Sequence, residues 1–244
     1  TIKAPLFEAQ LLETAILCVL NHQTLIATKA ARLCQNTDAK IMEFGLRRAQ
    51  GPDAGIYGAR AAYIGGCRST SNVLAGQMFG IPVKGTHAHS WVMSFPDELT
   101  AFRAYAELYP EGCMLLVDTY DTLKSGVPNA IKVFDELKQK GYKPLGIRLD
   151  SGDLAYLSKE ARKMLDDAGH SDCIICVSND IDEQVLLSLK AQDAKIDLFG
   201  IGTRLITSYD APSLGGVYKL CAIEENGKLV PKIKLSDTQA KCTN

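Results

Sequence analysis

The stretch PLGIRLDSGDLAYLSKEARKMLDDAGHSDCIICVSND, residues 144–180, contains the pattern that decides the fold. Two short, continuously apolar runs begin at 144 and 173, and between them, at 153–168, apolar residues recur at helical spacing. Continuously apolar strands joined through a helix are typical of a parallel sheet that is buried on both faces. The stretch therefore predicts a strand, a helix and a second, parallel strand.

The same alternation extends along the chain. Further apolar runs are IMEFG from 41, IPVKG from 81, CMLLVD from 113 and IDLFGIGT from 196, and helical patterns cover about 70–79, 97–109, 123–140 and 181–191. A long helix, or two in series, opens the chain between Leu6 and Leu33. We expect a barrel of βα units, with an open, doubly wound sheet as the alternative.

The last part of the chain has a different pattern. VYKLCAIEENGKLVPKIKLSD predicts two β segments around a turn at Asn226 and Gly227. We therefore expect an α/β barrel domain over 1–215 and a terminal β-hairpin leading out of it over 216–244. The stretch LRRAQGPDAGIYGAR, 46–60, is interpreted as a Gly-rich and Arg-rich loop that binds a ligand.

Composition excludes several classes of function. Lys and Arg number 27 and Asp and Glu 28, so the chain lacks the excess of positive charge with which proteins bind nucleic acid. No apolar stretch reaches the roughly 18 residues of a membrane span, and Thr1 begins no basic-then-apolar signal. We expect a cytoplasmic protein with neither nucleic acid nor membrane as partner.

The eight cysteines are scattered along a chain whose hydrophobic content is 46%. Such a chain has enough apolar material for an ordinary core, so we expect reduced thiols rather than disulfides. Cys173 and Cys176 form a C-x-x-C pair inside an apolar run, where positions three apart in a strand face opposite sides. We place both in the core rather than in a zinc or redox site.

Polar clusters follow the apolar runs, in KGTHAHS, VDTYDT, RLDSGD, VSND and GIGT. The carboxyl ends of parallel strands meet at one edge, so these clusters predict an active site there. Arg148 and Asp150 close a buried run and suit a phosphate and sugar hydroxyls respectively, whereas Ser151 is expected as a helix N-cap, with Asp153 in the first turn.

Glycines and arginines predict where phosphates bind. In FGIGTRL, Gly200, Gly202 and Thr203 lie between a strand and a helix, where backbone amides can approach a phosphate. Arg47 and Arg48 are adjacent to each other and close to glycines, an arrangement that suits a diphosphate. The alternatives are an ordinary glycine turn and a solvated basic loop.

GTHAHSWV, 85–92, holds two of the four histidines. His87 and His89 share a face in an extended segment, so a bidentate metal site is one alternative. A barrel hydrolase needs further ligands, and neither His22 nor His170 closes a strand. We therefore expect no protein metal site and a chemical role for His89, and we leave the role of His87 open between a core position and the site.

Six motifs, EFGLRRAQGPD, GTHAHSWV, VDTYDT, IRLDSGDL, SNDIDE and FGIGT, in this order, closely resemble those of the nicotinate phosphoribosyltransferase family, over nearly the whole chain. The resemblance implies the irregular TIM-like α/β barrel of a type II phosphoribosyltransferase. The family's smaller α+β domain would then be mostly absent from this chain, because members are longer. It also implies a homodimer with the active site near the interface.

The implied reaction transfers phosphoribosyl from 5-phosphoribosyl 1-diphosphate to nicotinate, with ATP hydrolysis coupled through a phosphohistidine. His89 matches that histidine, and Asp118 is the expected partner of its ring. Mg²⁺ is expected, held mainly by phosphates and water. Substrate contacts are expected from Asp150 and Asp180 (ribose), Arg47, Arg48 and Arg148 (anions), Gly200, Gly202 and Thr203 (5-phosphate), with Ser151 beside Asp150 and Glu43 near the pyridine.

Two alternative functions stay open. The base could be nicotinamide, although the arginine pair at 47 and 48 is compatible with a carboxylate substrate. The chain could also be a non-catalytic fragment that binds phosphoribosyl groups or mediates dimerisation.

Overall fold

The computed structural model describes residues 1–235 and 237, which form an α/β structure around a six-stranded parallel sheet. The strand order is β2-β1-β6-β5-β4-β3, so the first strand pairs with the last one. The strands are β1 (Lys40–Glu43), β2 (Ser69–Thr70), β3 (Met114–Leu116), β4 (Gly146–Leu149), β5 (Ile174–Ser178) and β6 (Leu198–Ile201).

Helices follow the strands, and several begin at a capping side chain. Asn72, Asp97, Asp153 and Asp182 each accept a hydrogen bond from the backbone N–H three residues on, which satisfies a donor that the first helical turn leaves unpaired. The α-helices are α1 (Leu6–Gln35), α2 (Pro52–Ile64), α3 (Val73–Phe79), α4 (His89–Met93), α5 (Glu98–Leu108), α6 (Val127–Gln139), α7 (Leu154–Asp167), α8 (Glu183–Ala191) and α9 (Thr203–Ile206), and short 3₁₀ and π turns cover Leu46–Arg48 and Thr122–Gly126.

The sheet is buried on both faces, as the continuously apolar runs predict. Alternate residues of the strands pack in the main core with the helices, and Cys173 belongs to this cluster. On the other face, Met42, Met114 and Cys176 form a second apolar cluster. The expectation that Cys173 and Cys176 lie in the core on opposite sides is confirmed, and burial raises the pKa of their thiols to about 11 and about 12.

Two local predictions are wrong. The stretch interpreted as a loop at 46–60 becomes helix α2 from Pro52 onward, because proline starts a helix well and Gly55 lets the helix pack closely against the Leu46 side chain. The run from 81 forms only an isolated bridge between Thr70 and Val83 rather than a strand. Pro82 has no N–H to donate, and only its carbonyl is used, by Thr70.

The described chain divides into two compact units, one made of 23–212 and the other of 1–22 together with 213 onward. The second unit contains the antiparallel hairpin of β7 (Ala222–Glu225) and β8 (Lys228–Pro231), with Asn226 and Gly227 at φ 52° and 75° in its turn. The predicted hairpin is confirmed. Residue 236 and the residues from 238 of the predicted domain 216–244 lie outside the described residues, and the boundary at 215 stays a prediction.

Helix α1 differs from the expectation that no segment could span a membrane. It has 30 residues, and its most apolar window has a mean hydropathy of 1.2 and is 11% buried, so length and composition alone allow a span. Core helices of soluble proteins meet the same criterion. Leu25, Ile26, Ala30 and Leu33, in its second half, are buried in the unit 23–212.

Candidate active site

A cavity of about 350 Å³ lies at the edge of the sheet where the strands end. Phe44 follows β1, Asp150 follows β4, and Asn179 follows β5. Parallel strands thus bring residues that are far apart in the chain to one edge, as expected from the polar clusters. The predicted residues that line the cavity are Arg47, Arg48, His89, Arg148, Asp150, Asp180, Gly200, Gly202 and Thr203; Glu43, Asp118 and Ser151 are not part of this lining, and Ser151 is exposed.

Arg148 of β4 organises the centre of the cavity. Its Nε donates to Ser178 Oγ at 2.8 Å, its Nη1 to Thr86 Oγ1 at 2.8 Å and its Nη2 to Asp150 Oδ1 at 2.8 Å. Ser178 also donates to Asp150, so the arginine and the carboxylate share a fixed network. Because the Arg148 side chain is only 15% exposed, its orientation is set before any ligand arrives.

Asp118 connects His89 to the loop that contains Asp150. Its Oδ1 lies 3.0 Å from His89 Nε2, and its Oδ2 accepts from the Asp150 N–H at 2.8 Å and from Ser151 Oγ at 2.6 Å. The Asp118 side chain is 1% exposed. One buried carboxylate therefore fixes both His89 and the backbone that carries Asp150.

The expected N-cap at Ser151 is wrong. The Ser151 hydroxyl is used by Asp118, and Asp153 caps α7 instead, accepting from the Tyr156 N–H at 3.0 Å. Gly152, at φ 80°, turns the chain between the two residues. The turn separates the two roles: Ser151 supports the site, and Asp153 starts the helix.

His89 begins α4 with a partly exposed ring, 37% of the side chain being accessible. Its Nε2 faces the Asp118 carboxylate, which requires a proton on that nitrogen. The geometry therefore favours the tautomer that is protonated at Nε2. In this tautomer Nδ1 carries a lone pair and can act as a nucleophile.

His87 lines the cavity and is also packed against the core, so the structure is compatible with both positions that the sequence left open. Its Nε2 accepts from the Leu116 N–H at 3.2 Å, its Nδ1 lies 3.3 Å from the Ala88 carbonyl, and its ring meets Tyr105 edge-on at 4.7 Å. Burial lowers the pKa of His87 to about 4, so the ring is neutral at pH 7. His87 and His89 bind different partners and do not form a bidentate metal site.

The buried ring of His87 predicts a pH-dependent loss of stability. Its pKa falls from 6.5 in the unfolded chain to about 4 on folding, so the unfolded chain binds the extra proton between these values. Stability is fully present above pH 6.5 and is lost as the pH falls towards 4, by about 3 kcal/mol. Urea unfolding at several pH values should show this loss in the wild type and a smaller one in His87→Asn. A folded-state His87 ring that titrates near 6.5 by NMR would contradict this expectation.

Glu43 supports the loop that carries the two adjacent arginines. Its buried carboxylate accepts from Thr70 Oγ1 at 2.6 Å and from the Gly45 N–H, and burial raises its pKa above the usual range. Its oxygens are thus directed to β2 and to the turn before Arg47, rather than into the cavity.

Gly200 of β6 leaves room for the ring of Phe44. A Cβ at Gly200 would lie 2.5 Å from both Cδ2 and Cε2 of that ring, whose other contacts include the Arg148 guanidinium at 5.4 Å from the ring centroid. Gly200 is therefore needed for packing at the cavity wall, in addition to any contact with a ligand.

Gly200→Ala is expected to lower stability by about 2 kcal/mol, because the new methyl group displaces Phe44 in a packed wall. Thermal unfolding measures the loss. Gly85→Ala is the matched control, since Gly85 also lines the cavity but a Cβ there meets nothing within 4 Å. Equal melting temperatures for the two variants would show that Phe44 is not held against Gly200.

Some cavity residues were not singled out from the sequence. Phe44, Ser71, Thr86, Ser178 and Asn179 all line the cavity. Thr86 and Ser178 lie within the polar clusters, and the signal that could have identified them was a charged Arg148 in a buried strand, which needs acceptors nearby. Asn179 has φ 98°, a rare backbone conformation for a residue other than glycine and one that functional sites often contain.

Comparison with known proteins gives a consistent result. A model of the nicotinate phosphoribosyltransferase family matches residues 39–243. The nicotinate phosphoribosyltransferase of Bacillus subtilis (strain 168) is 58% identical over 243 residues, which cover 99% of this chain and 49% of that protein. That of Dictyostelium discoideum is 44% identical, over 99% of this chain and 48% of its own.

A solved structure, that of human nicotinic acid phosphoribosyltransferase, has a TM-score of 0.76 at 37% identity and covers 82% of this chain and 51% of its own. The chain thus spans about half the length of the relatives that it matches.

Proposed function

The chain belongs to the nicotinate phosphoribosyltransferase family, and from this premise we propose that its site transfers phosphoribosyl from 5-phosphoribosyl 1-diphosphate to the ring nitrogen of nicotinate. The products are nicotinate mononucleotide and diphosphate. The observation that carries the proposal is the fixed pair of Arg148 and Asp150 inside the cavity.

The charges of the cavity suit this reaction. When the bond between the anomeric carbon and diphosphate breaks, positive charge develops on the ribose and negative charge on the leaving group. Asp150 and Asp180 supply carboxylates for the ribose. Arg47 and Arg48, exposed at the same cavity, supply cations for the diphosphate or the nicotinate carboxylate.

The 5-phosphate is assigned to the end of β6 and the turn after it. Gly200, Gly202 and Thr203 line the cavity there, and Thr203 adds a hydroxyl. Glu43 acts indirectly. It accepts a hydrogen bond from the Gly45 N–H and so fixes the turn before Arg47.

ATP coupling is assigned to His89. The Nδ1 lone pair would attack the terminal phosphorus of ATP and displace ADP, and water would later release the phosphate. Asp118 supports this role because it fixes the tautomer and stabilises the ring as its charge changes.

Mg²⁺ is assigned to the phosphates of the substrates. Within 1–235 and 237, no three His, Cys, Asp or Glu side chains converge in a metal-binding cluster. Mg²⁺ commonly keeps several waters and binds through substrate phosphates. Water molecules and the phosphates would therefore be its ligands here, and the cation would neutralise charge on the diphosphate.

The proposal also includes a barrel architecture, a smaller domain, a homodimer and a cytoplasmic location. A barrel is supported by the pairing of β1 with β6 and by the segment 82–87, which bonds to Thr70 of β2 through its backbone and to Leu116 of β3 through His87. A smaller α+β domain, a homodimer with the site near its interface and a cytoplasmic location are expected from the family resemblance.

Calorimetric titration with 5-phosphoribosyl 1-diphosphate tests the binding step. Arg148→Met is expected to weaken binding about 10- to 100-fold, because one charged hydrogen-bonding group is lost. Arg103→Met is the control, since Arg103 is paired with Glu136 outside this cavity. Equal binding by both variants would contradict the assignment. A product assay on the same samples separates an enzyme from the alternative, a non-catalytic binding fragment.

A further inference from the structure

Lys29, in the second half of α1, is a buried cation to which the proposed mechanism gives no role. It is 3% exposed, and among the residues that the structure describes it is the one buried lysine. Its Nζ donates to Glu183 Oε2 at 2.5 Å and to the Asp210 carboxylate, and Glu183 also faces Arg32 Nε at 3.4 Å. Burying an ammonium group is costly unless carboxylates pair with it. Lys29 is therefore fixed by two partners that lie 154 and 181 residues further along the chain.

Both partners of Lys29 belong to segments that carry cavity residues. Glu183 is the first residue of α8, and Asp180, three residues before it, lines the cavity. Asp210 follows α9, whose first residue, Thr203, lines the cavity as well. Lys29 itself is not part of the lining. One buried ammonium group thus connects the segment after β5 with the segment after β6.

The segment from Thr203 to Asp210 is held together by its own contacts. The Thr207 hydroxyl donates to the Thr203 carbonyl at 2.7 Å, and the Tyr209 N–H donates to the Arg204 carbonyl at 3.3 Å. The guanidinium carbon of Arg204 lies 3.8 Å from the centre of the Tyr209 ring, which adds a cation–π contact. These contacts join the short helix α9 to the residues after it, so a displacement of Asp210 is transmitted to Thr203.

Arg162 of α7 provides a comparison, because it is also a largely buried cation with several partners. Its Nη1 donates to the Cys173 carbonyl at 2.5 Å, its Nη2 to the His170 carbonyl at 2.8 Å and its Nε to Asp166 Oδ1 at 2.8 Å. His170 and Cys173 precede β5, at the end of the sheet opposite to the cavity, and none of these residues lines the cavity. Arg162 therefore supports the fold alone, whereas the partners of Lys29 lie next to cavity residues.

We propose that Lys29 is a positioning residue for phosphoribosyl binding, which holds the Asp180 segment and the Thr203 turn at a fixed separation. The inference rests on the proposed function, because it concerns the same cavity. Lys29 acts through Glu183 and Asp210 and contacts no substrate. The phosphoribosyl group is a single ligand that would meet both segments, one through its ribose hydroxyls and the other through its 5-phosphate. Its affinity therefore depends on how well their separation is set before it binds.

Asp210→Ala tests the proposal with little loss of stability, because the Asp210 side chain is 52% exposed and Lys29 keeps its bond to Glu183. The affinity of this variant for ribose 5-phosphate, measured by calorimetric titration, is expected to fall about 3- to 10-fold. Its affinity for inorganic diphosphate should stay within about twofold of wild type, since the arginines assigned to that anion lie on another segment. Asp38→Ala is the control, because Asp38 is exposed and pairs with Lys190 outside the cavity.

Lys29→Met should lose about 10- to 100-fold in affinity for ribose 5-phosphate, and Lys29→Arg should recover most of it, because arginine keeps the charge between the two carboxylates. Arg162→Met is the control for the loss of a buried cation. It should lower the melting temperature and leave the affinity for ribose 5-phosphate unchanged. An equal loss of affinity in Arg162→Met, or wild-type binding of ribose 5-phosphate by Asp210→Ala, would overturn the proposal.

Hydrogen exchange of the ligand-free protein separates this inference from the proposed function. The backbone amides of 203–207 should exchange faster in Asp210→Ala than in the wild type, and an unchanged rate would overturn the proposal. A wild-type protein that binds neither ribose 5-phosphate nor diphosphate, although the difference in exchange is present, would point to failure of the proposed function rather than of the positioning role.

Discussion

Asp150→Asn is expected to lower kcat/KM for phosphoribosyl transfer by about 10³-fold, because it removes a negative charge beside the ribose while keeping the shape of the side chain. Asp150 Oδ1 now accepts from both Arg148 and Ser178. The asparagine amide has only one acceptor oxygen. If its NH₂ group faced Arg148 and Ser178, donor would meet donor and these hydrogen bonds would be lost. The rate with saturating and limiting 5-phosphoribosyl 1-diphosphate measures the loss.

Asp153→Asn is the matched control for Asp150→Asn. Asp153 lies in the same loop, but its side chain accepts from the Tyr156 N–H at the start of α7 and does not line the cavity. Asparagine also caps helices well, so this variant should retain wild-type kcat/KM and almost all of its stability. A folded Asp150→Asn protein with activity within threefold of wild type would contradict the role of Asp150.

His89→Ala is expected to abolish labelling of the protein by ATP carrying radioactive phosphate at its terminal position, and with it any gain in turnover from ATP. The wild type should carry acid-labile phosphate, because phosphohistidine hydrolyses in acid. Asp118→Asn should slow labelling by about 10²- to 10⁴-fold, since the His89 ring loses its charged orienting partner.

His87→Asn is the control for His89→Ala, because His87 Nε2 is used by the Leu116 N–H and its ring is buried. Labelling of the folded His87→Asn protein should persist. If labelling survived in His89→Ala and disappeared in His87→Asn, the assignment of the two histidines would be reversed.

Most of the parallel sheet was predictable because β3, β4, β5 and β6 are largely buried and mostly apolar. The runs from 113, 144, 173 and 196 all contain strands. Strand β2 has two residues and no apolar pattern, so no local signal identified it. Helix α2 was missed because glycines such as Gly55 lower helix propensity, and the close contact with Leu46 that favours glycine at this position is visible only in the structure.

Nine of the eighteen residues that line the cavity were predicted, and of the supporting residues Asp118 was predicted as the partner of His89, whereas the roles of others were not. Arg148 and Asp150 could be identified from the sequence because they are charged residues at the end of an apolar run. The roles of Ser151 and His87 depend on partners 33 and 29 residues away, so spacing along the chain could not separate a cap from a support, or a packed imidazole from a reactive one.

Parallel turnover assays with nicotinate and nicotinamide, each with 5-phosphoribosyl 1-diphosphate and Mg²⁺, test the proposed activity most directly. The proposal predicts nicotinate mononucleotide and diphosphate in equal amounts, and a higher yield when ATP is added. Turnover of nicotinamide alone, or binding of 5-phosphoribosyl 1-diphosphate without any mononucleotide, would contradict it.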